Sequence, residues 1–291
     1  MDNIVKKCKI KANDDFKLND HDSAFTADVK KEDSGRILAD NIEELKVLQE
    51  KLYTSNRFSL LVIFQAMDAA GKDSAIEHVM SGINPQGCEV HSFKQPNSEE
   101  LGHDFLWRHA KSQPAKGIIG IHNRSHYENV LVCKVHPKLV TERNDQLSEN
   151  DLDDKFWDNR YESIRDFEKH LSRNGTVIIK FFLNLSKKEQ KERFLDRINE
   201  PAKNWKFSVF DIEERKRWDD YMEVYERAIS ETSTDKAPWY VIPADKKWFS
   251  RIAISEIIKE TLKSLNLEIP QLTPEELNGL ARSKQELLSE E

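Results

Sequence analysis

The stretch Gln65-Ala66-Met67-Asp68-Ala69-Ala70-Gly71-Lys72-Asp73 decides how this 291-residue chain is read. It follows the apolar run Leu60-Leu61-Val62-Ile63-Phe64 and precedes a helix-period segment, so it joins a buried strand to a helix. A Walker A loop, Gly-x-x-x-x-Gly-Lys-[Ser/Thr], occupies that setting. Its backbone N–H groups meet phosphate oxygens at a helix N-terminus while its lysine reaches the outer phosphates. Gly71 and Lys72 keep the required spacing, and Ala69 and Ala70 supply further loop amides. Ala66 replaces the first glycine and Asp73 the hydroxyl residue. The alternative is a plain strand-to-helix turn with a surface lysine. Two carboxylates beside a phosphate-binding lysine would repel an anion unless a cation intervenes, so Asp68 and Asp73 point to Mg²⁺, with Mn²⁺ as the substitute.

Outward from the loop, short apolar segments at 59–65, 88–94, 116–122, 176–184 and 239–243 read as strands. Helical periodicity covers about 37–53, 72–80, 98–111, 154–172, 187–198, 212–230 and 248–265. This alternation predicts an α/β fold, a three-layer α/β/α plan around a parallel five-stranded sheet. One phosphate loop and no internal repeat argue for a single domain over 1–291. The polar flanks read as an N-terminal arm over about 1–34 and a C-terminal tail over about 266–291, with an amphipathic helix near 274–288.

The net charge of -7 argues against a surface built to grip nucleic acid, so any polyanion must be held locally. Cys8, Cys88 and Cys133 form no Cys-x-x-Cys pair and read as free thiols in a reducing compartment. No apolar run approaches the roughly 20 residues that cross a membrane. The first seventeen residues show no secretory pattern, so the expected setting is the cytoplasm, with no membrane partner.

Asn123-Arg124-Ser125-His126-Tyr127-Glu128 follows the third strand, at the carboxyl end where open α/β sheets place ligands. An arginine at 124 could clamp a transferring phosphoryl group with two parallel N–H bonds. The segment 187–206 carries seven basic and four acidic residues, a net of +3 within an acidic chain. Arg193 and Arg197, four apart, share a helix face with Gln190 and could reach one bound polyphosphate. A solvated charged face is the plainer alternative; beside a phosphate loop, a closing lid over about 187–211 is favoured.

These stretches together resemble the polyphosphate kinase 2 family over roughly residues 37–265. The resemblance rests on Met67 through Asp73, on His78-Val79-Met80-Ser81-Gly82-Ile83-Asn84-Pro85-Gln86-Gly87-Cys88 and on Ser92-Phe93-Lys94-Gln95-Pro96. His103-Asp104-Phe105-Leu106-Trp107-Arg108, the Asn123 to Glu128 block, Lys180-Phe181-Phe182-Leu183, Ala237-Pro238-Trp239 and Ile242-Pro243-Ala244-Asp245 complete it. It implies a thymidylate-kinase-like P-loop fold with a helical lid, Mg²⁺ dependence, and assembly as homodimers or homotetramers. Inorganic polyphosphate and AMP, ADP and ATP would be the substrates.

In the family's terms Asp68 and Asp73 are the Walker A acids, Lys72 the phosphate-binding lysine and Arg124 the Walker B arginine. Arg193, Arg197, Lys203 and Lys206 fall in the basic lid, and Lys94 and Arg108 are candidates for nucleotide contact. Asn123 stands where much of the family has Asp, and Glu128 then becomes the third candidate metal ligand. Asn before Arg124-Ser125-His126-Tyr127-Glu128 resembles the class III subgroup, which phosphorylates both nucleoside monophosphates and diphosphates. The competing functions are an ATP-dependent nucleotide or nucleoside kinase and a non-catalytic nucleotide- or polyphosphate-binding protein.

Overall fold

In the computed structural model, which describes residues 2–12, 16–142 and 146–290, the five apolar runs pair as one parallel sheet. The strands are β1 (Ser59–Gln65), β2 (Cys88–Ser92), β3 (Ile119–Asn123), β4 (Thr176–Asn184) and β5 (Trp239–Pro243). Their order is β2-β3-β1-β4-β5, with β1 registered against both β3 and β4. Every residue of β1 is buried, as a central strand covered on both faces requires. Because β3 and β4 lie on opposite sides of β1, the connections diverge at its carboxyl end, opening the crevice where such sheets bind ligands.

Helices cover both faces. On one side α2 (Ser34–Ser55), α3 (Lys72–Val79) and α8 (Lys247–Ser264) pack on the sheet around Leu45, Leu52, Val62, Phe64, Phe249 and Ile257. The other face carries α4 (Asp154–Arg173) and α7 (Trp218–Thr232), around Leu61, Ile63, Tyr161, Ile164, Phe182 and Ile229. Between β4 and α7 lie α5 (Lys187–Asn199) and α6 (Val209–Lys216), and α1 (Asp2–Cys8) and α9 (Pro274–Leu288) end the described chain.

Three sequence expectations change. The helix expected over 98–111 is two four-residue pieces, Ser98–Leu101 and Trp107–Ala110. Between them the Asp104 Oδ1 accepts the Leu106 N–H at 2.9 Å, a local turn that competes with continuing the helix. The helix expected over 212–230 breaks at Arg217, whose ψ of 24° leaves helical geometry and whose guanidinium donates to the Val135 carbonyl. That break separates α6 from the core helix α7.

The N-terminal stretch is no polar arm. Ile4, Cys8, Ile10, Phe16 and Leu18 are buried in the core, and the Ile10 N–H donates to the Trp239 carbonyl at 2.9 Å beside β5. Residues 13–15 and 143–145 lie outside the described residues. The tail helix does form where expected. Its start is fixed by a capping box between Thr273 and Glu276 with Pro274 in the first turn, and 268–290 are exposed throughout.

Candidate active site

The loop after β1 turns into α3 through Gly71, whose φ of 101° is left-handed geometry open to glycine at little cost. Ala69 is also left-handed at φ 62°, whereas Ala66 is not among the positive-φ residues. A β-carbon at position 66 is therefore tolerated, which explains the missing first glycine. Alternating left-handed backbone around Ala70 builds the concave nest of N–H groups that holds anions. Lys72 folds back over this nest and donates to the Ala66 carbonyl at 2.8 Å. Burial holds its ammonium below the ordinary lysine range, and the Asp68 charge opposes that fall.

Arg124 stands at the end of β3 with φ 63°, a second non-glycine residue held left-handed at this edge. Its N–H still donates to the Phe64 carbonyl of β1 at 3.1 Å, so the strand pairing sets the angle. The half-exposed guanidinium lies 3.5 Å from Asp68 Oδ1. Asn123 Nδ2 donates to Asp73 Oδ1, joining the end of β3 to the first turn of α3. Ser125 caps the following turn, accepts from Gln65 Nε2 at 3.1 Å, and so places Glu128 on the same cleft. Burial raises the Glu128 carboxyl above its ordinary range, with Arg124 and Lys72 opposing the rise.

Beneath this turn lies a charged network that the sequence shows only as a lysine inside an apolar strand. Lys180 of β4 is fully buried and donates to Glu168 Oε2 at 2.6 Å, Tyr127 Oη at 2.9 Å and the Thr232 carbonyl at 2.8 Å. Tyr127 in turn donates to Glu168 Oε1 at 2.8 Å. All three ammonium donors are used, the condition for a tolerable buried charge. Tyr127 is thereby fixed between Arg124 and Glu128.

The cleft encloses about 590 Å³, and its wall includes Asp68, Lys94, Arg108, Arg124, Glu128 and the lid residue Asp211. Arg108 pairs with Glu100 at 3.2 Å and lies 5.1 Å from the Phe93 ring centre, so both sequence candidates for nucleotide contact face this volume.

The four lid cations separate. Arg197 donates to the Lys206 carbonyl at 3.1 Å and lies 3.5 Å from Asp211 Oδ2. Lys203 pairs with Glu200 on the exposed surface, and Lys206 lies over the Trp205 ring. Arg193 is instead 5 % exposed, and its five N–H groups all have acceptors: Glu189 Oε1 and the carbonyls of Ala69, Ala70, Ala244 and Asp245. Where direct contact with phosphate was expected of Arg193, its hydrogen-bonding capacity is here spent on Glu189 and four backbone carbonyls.

No group of three or more His, Cys, Asp or Glu side chains among the described residues forms a cage for an ion. Asp68, Asp73 and Glu128 are thus not a preassembled triad. A magnesium ion held by one or two carboxylates and completed by phosphate oxygens and water needs no such cage, and Asp68 and Asp73 fit that donor set. Among the described residues no helix is long and apolar enough to cross a membrane.

A parallel sheet with a phosphate loop at its central strand, and an arginine at the end of the adjoining one, defines an α/β phosphotransferase of the P-loop kinase class. The chain belongs to the polyphosphate kinase 2 family: residues 28–270 match the family described as "Polyphosphate kinase 2 (PPK2)". It is 53 % identical over 258 residues to an ADP-polyphosphate phosphotransferase of Rhodopseudomonas palustris, covering 89 % of each chain. It is 43 % identical to an AMP/ADP-polyphosphate phosphotransferase of Meiothermus ruber, covering 92 % of this chain and 96 % of that one. The crystal structure of polyphosphate kinase 2 from Arthrobacter aurescens superposes with a TM-score of 0.86 at 38 % identity, covering 96 % of both chains.

Proposed function

We propose that this protein transfers the terminal phosphoryl group of inorganic polyphosphate to AMP and ADP, as a homodimer or homotetramer in the cytoplasm. The observation that carries the proposal is the meeting of Lys72, Asp68 and Arg124 at the joined ends of β1 and β3, on a cleft of about 590 Å³. The names of the relatives supply the polyphosphate donor and the adenine nucleotide acceptor.

The phosphate oxygen of the acceptor attacks the terminal phosphorus, a new P–O bond forms, and the bridging P–O bond behind it breaks. Its electron pair leaves on the polyphosphate chain, shortened by one unit. A phosphate oxygen is already a competent nucleophile, so the protein contributes position and charge without a phosphoenzyme. Loop amides and Lys72 hold the donor phosphates, while Arg124, oriented by Asp68, meets the charge on the transferring group. Asp68 and Asp73 would hold Mg²⁺, which when bound neutralises phosphate charge. Lys94 and Arg108 lie along the acceptor's side of the cleft, and Arg197, Lys203 and Lys206 bind the trailing chain.

Purified protein with Mg²⁺, polyphosphate and either AMP or ADP should yield ADP and ATP, resolved by chromatography. Product that forms only when ATP is the donor would sink polyphosphate as donor in favour of an ordinary nucleotide kinase. Thermal stabilisation by these ligands without any product would identify a binding protein.

A further inference from the structure

Arg193 and Gln190 both stand on α5 yet spend their donors on the loop before α3. Gln190 Nε2 donates to the Asp68 carbonyl at 3.0 Å, and Arg193 Nη1 donates to the carbonyls of Ala69 and Ala70, each at 3.0 Å. Three successive loop carbonyls thus turn towards one helix. We propose that Gln190 and Arg193 are positioning residues that set which face of the phosphate loop presents N–H groups, and that they couple this choice to the lid. The inference rests on the loop's assignment as the phosphate site.

The reason is peptide geometry. In a planar trans peptide the C=O of one residue and the N–H of the next point in opposite directions. Carbonyls of 68, 69 and 70 that face α5 therefore turn the N–H groups of Ala69, Ala70 and Gly71 away from it. Ala70 donates to the Met67 carbonyl at 3.3 Å. The amides of Ala69 and Gly71 join the first-turn N–H groups of Lys72 and Asp73 as donors for an anion. The left-handed angle at Ala69 is unfavourable for a residue with a β-carbon, so it persists only where its surroundings impose it. The bonds from α5 are that imposition.

The clamp is itself anchored. Arg193 Nη2 donates to the carbonyls of Ala244 and Asp245 just after β5, at 2.6 and 3.3 Å, and Nε pairs with Glu189 at 2.9 Å. A β-carbon on Gly71 would lie 3.8 Å from Nη1, so the guanidinium sits directly behind the loop. Arg215 of α6 donates to Gln190 Oε1 at 2.8 Å and to the Lys187 carbonyl at 2.7 Å. A continuous path, Arg215 to Gln190 to the Asp68 carbonyl, therefore joins α6, the lid helix α5 and the loop.

The chain has nine glycines, so selective ¹⁵N-glycine labelling yields few enough resonances to follow the Gly71 amide directly. In the unaltered protein, tripolyphosphate should shift that resonance. In Gln190→Leu, and in Arg193→Met if it folds, the same shift should need about a hundredfold more tripolyphosphate, with kcat/KM for polyphosphate falling in parallel. Arg193→Lys should recover part of the loss. The KM for the nucleotide should hold within a few-fold. A Gly71 titration unchanged in a folded Gln190→Leu protein overturns the positioning role while leaving the phosphate site intact. A Gly71 amide that ignores tripolyphosphate in the unaltered protein overturns the phosphate site and the clamp together.

Discussion

The floor of the cleft and the lid beside it carry charges suited to the same polyanion, but they are held in opposite ways. On the floor, Lys72 closes onto the Ala66 carbonyl, the Arg124 backbone is held by strand pairing, and Lys180 anchors Tyr127 from below with all its donors used. In the lid, Lys203 pairs with Glu200 at the surface, and Trp205 and Phe210 are exposed by 78 % and 74 %. The backbone of the floor is fixed before a ligand arrives, so the groups it carries act by preorganisation. An outer lid cation such as Lys203 must leave an exposed partner to meet the polyanion, and its effect is on binding the chain. Substitutions in the two regions should therefore differ in size and in the constant they change.

The largest effect belongs to the floor. Lys72→Ala should lower kcat by roughly a thousandfold while the far-UV circular dichroism and melting temperature stay close to those of the unaltered protein. Near-normal turnover would remove the loop from the chemistry. Below it, Lys180→Met leaves Glu168 charged, buried and without its ammonium, and should cost about 3–5 kcal/mol in urea unfolding. Equal stability would show that the network does not hold the turn carrying Arg124 and Glu128.

The third test is acid. His122 is buried, and that burial lowers its imidazole from the ordinary 6.5 to about 4, although a bond to the Ser112 carbonyl opposes the fall. Because the folded value lies below the unfolded one, its contribution is complete above pH 6.5 and is lost as the pH falls towards 4. The loss approaches about 3 kcal/mol. Urea midpoints at pH 7, 5.5 and 4 should fall less steeply in His122→Gln; parallel slopes would remove His122 from the acid response.

The smallest effects belong to the outer lid cations Arg197 and Lys203. Arg197→Ala should lower kcat/KM for polyphosphate by about tenfold, mainly through KM, and Lys203→Ala by about threefold or less. Steady-state rates at several polyphosphate concentrations separate the two constants. A fall in kcat as large as that of Lys72→Ala would erase the distinction between floor and lid.

Periodicity carried much of this in advance. All five strands fall where the sequence placed them to within a few residues at their ends; β1 and β5 read as apolar because they are buried throughout, whereas β2, Cys88-Glu89-Val90-His91-Ser92, is a largely exposed edge strand. Gly71 marked the loop because its left-handed turn restricts residue choice. Other features had no one-dimensional signal. Alternating charged and apolar residues made the N-terminus look like a solvated arm, although Ile4, Cys8 and Ile10 reach the core. The breaks near Asp104 and at Arg217 come from single side-chain and backbone choices inside otherwise helical patterns.

The sequence by itself determined an α/β pattern, a Walker-like loop after one apolar strand and an arginine after another, because these follow from spacing along the chain; only the tertiary structure made the first strand central and set the second beside it. Tertiary structure alone decided what each charge does. Arg193 and Arg197 lie one helical turn apart, but one faces the loop's carbonyls and the other a lid carboxylate. A guanidinium binds whichever acceptor the fold brings within about 3 Å, and that proximity is set by packing rather than by sequence spacing.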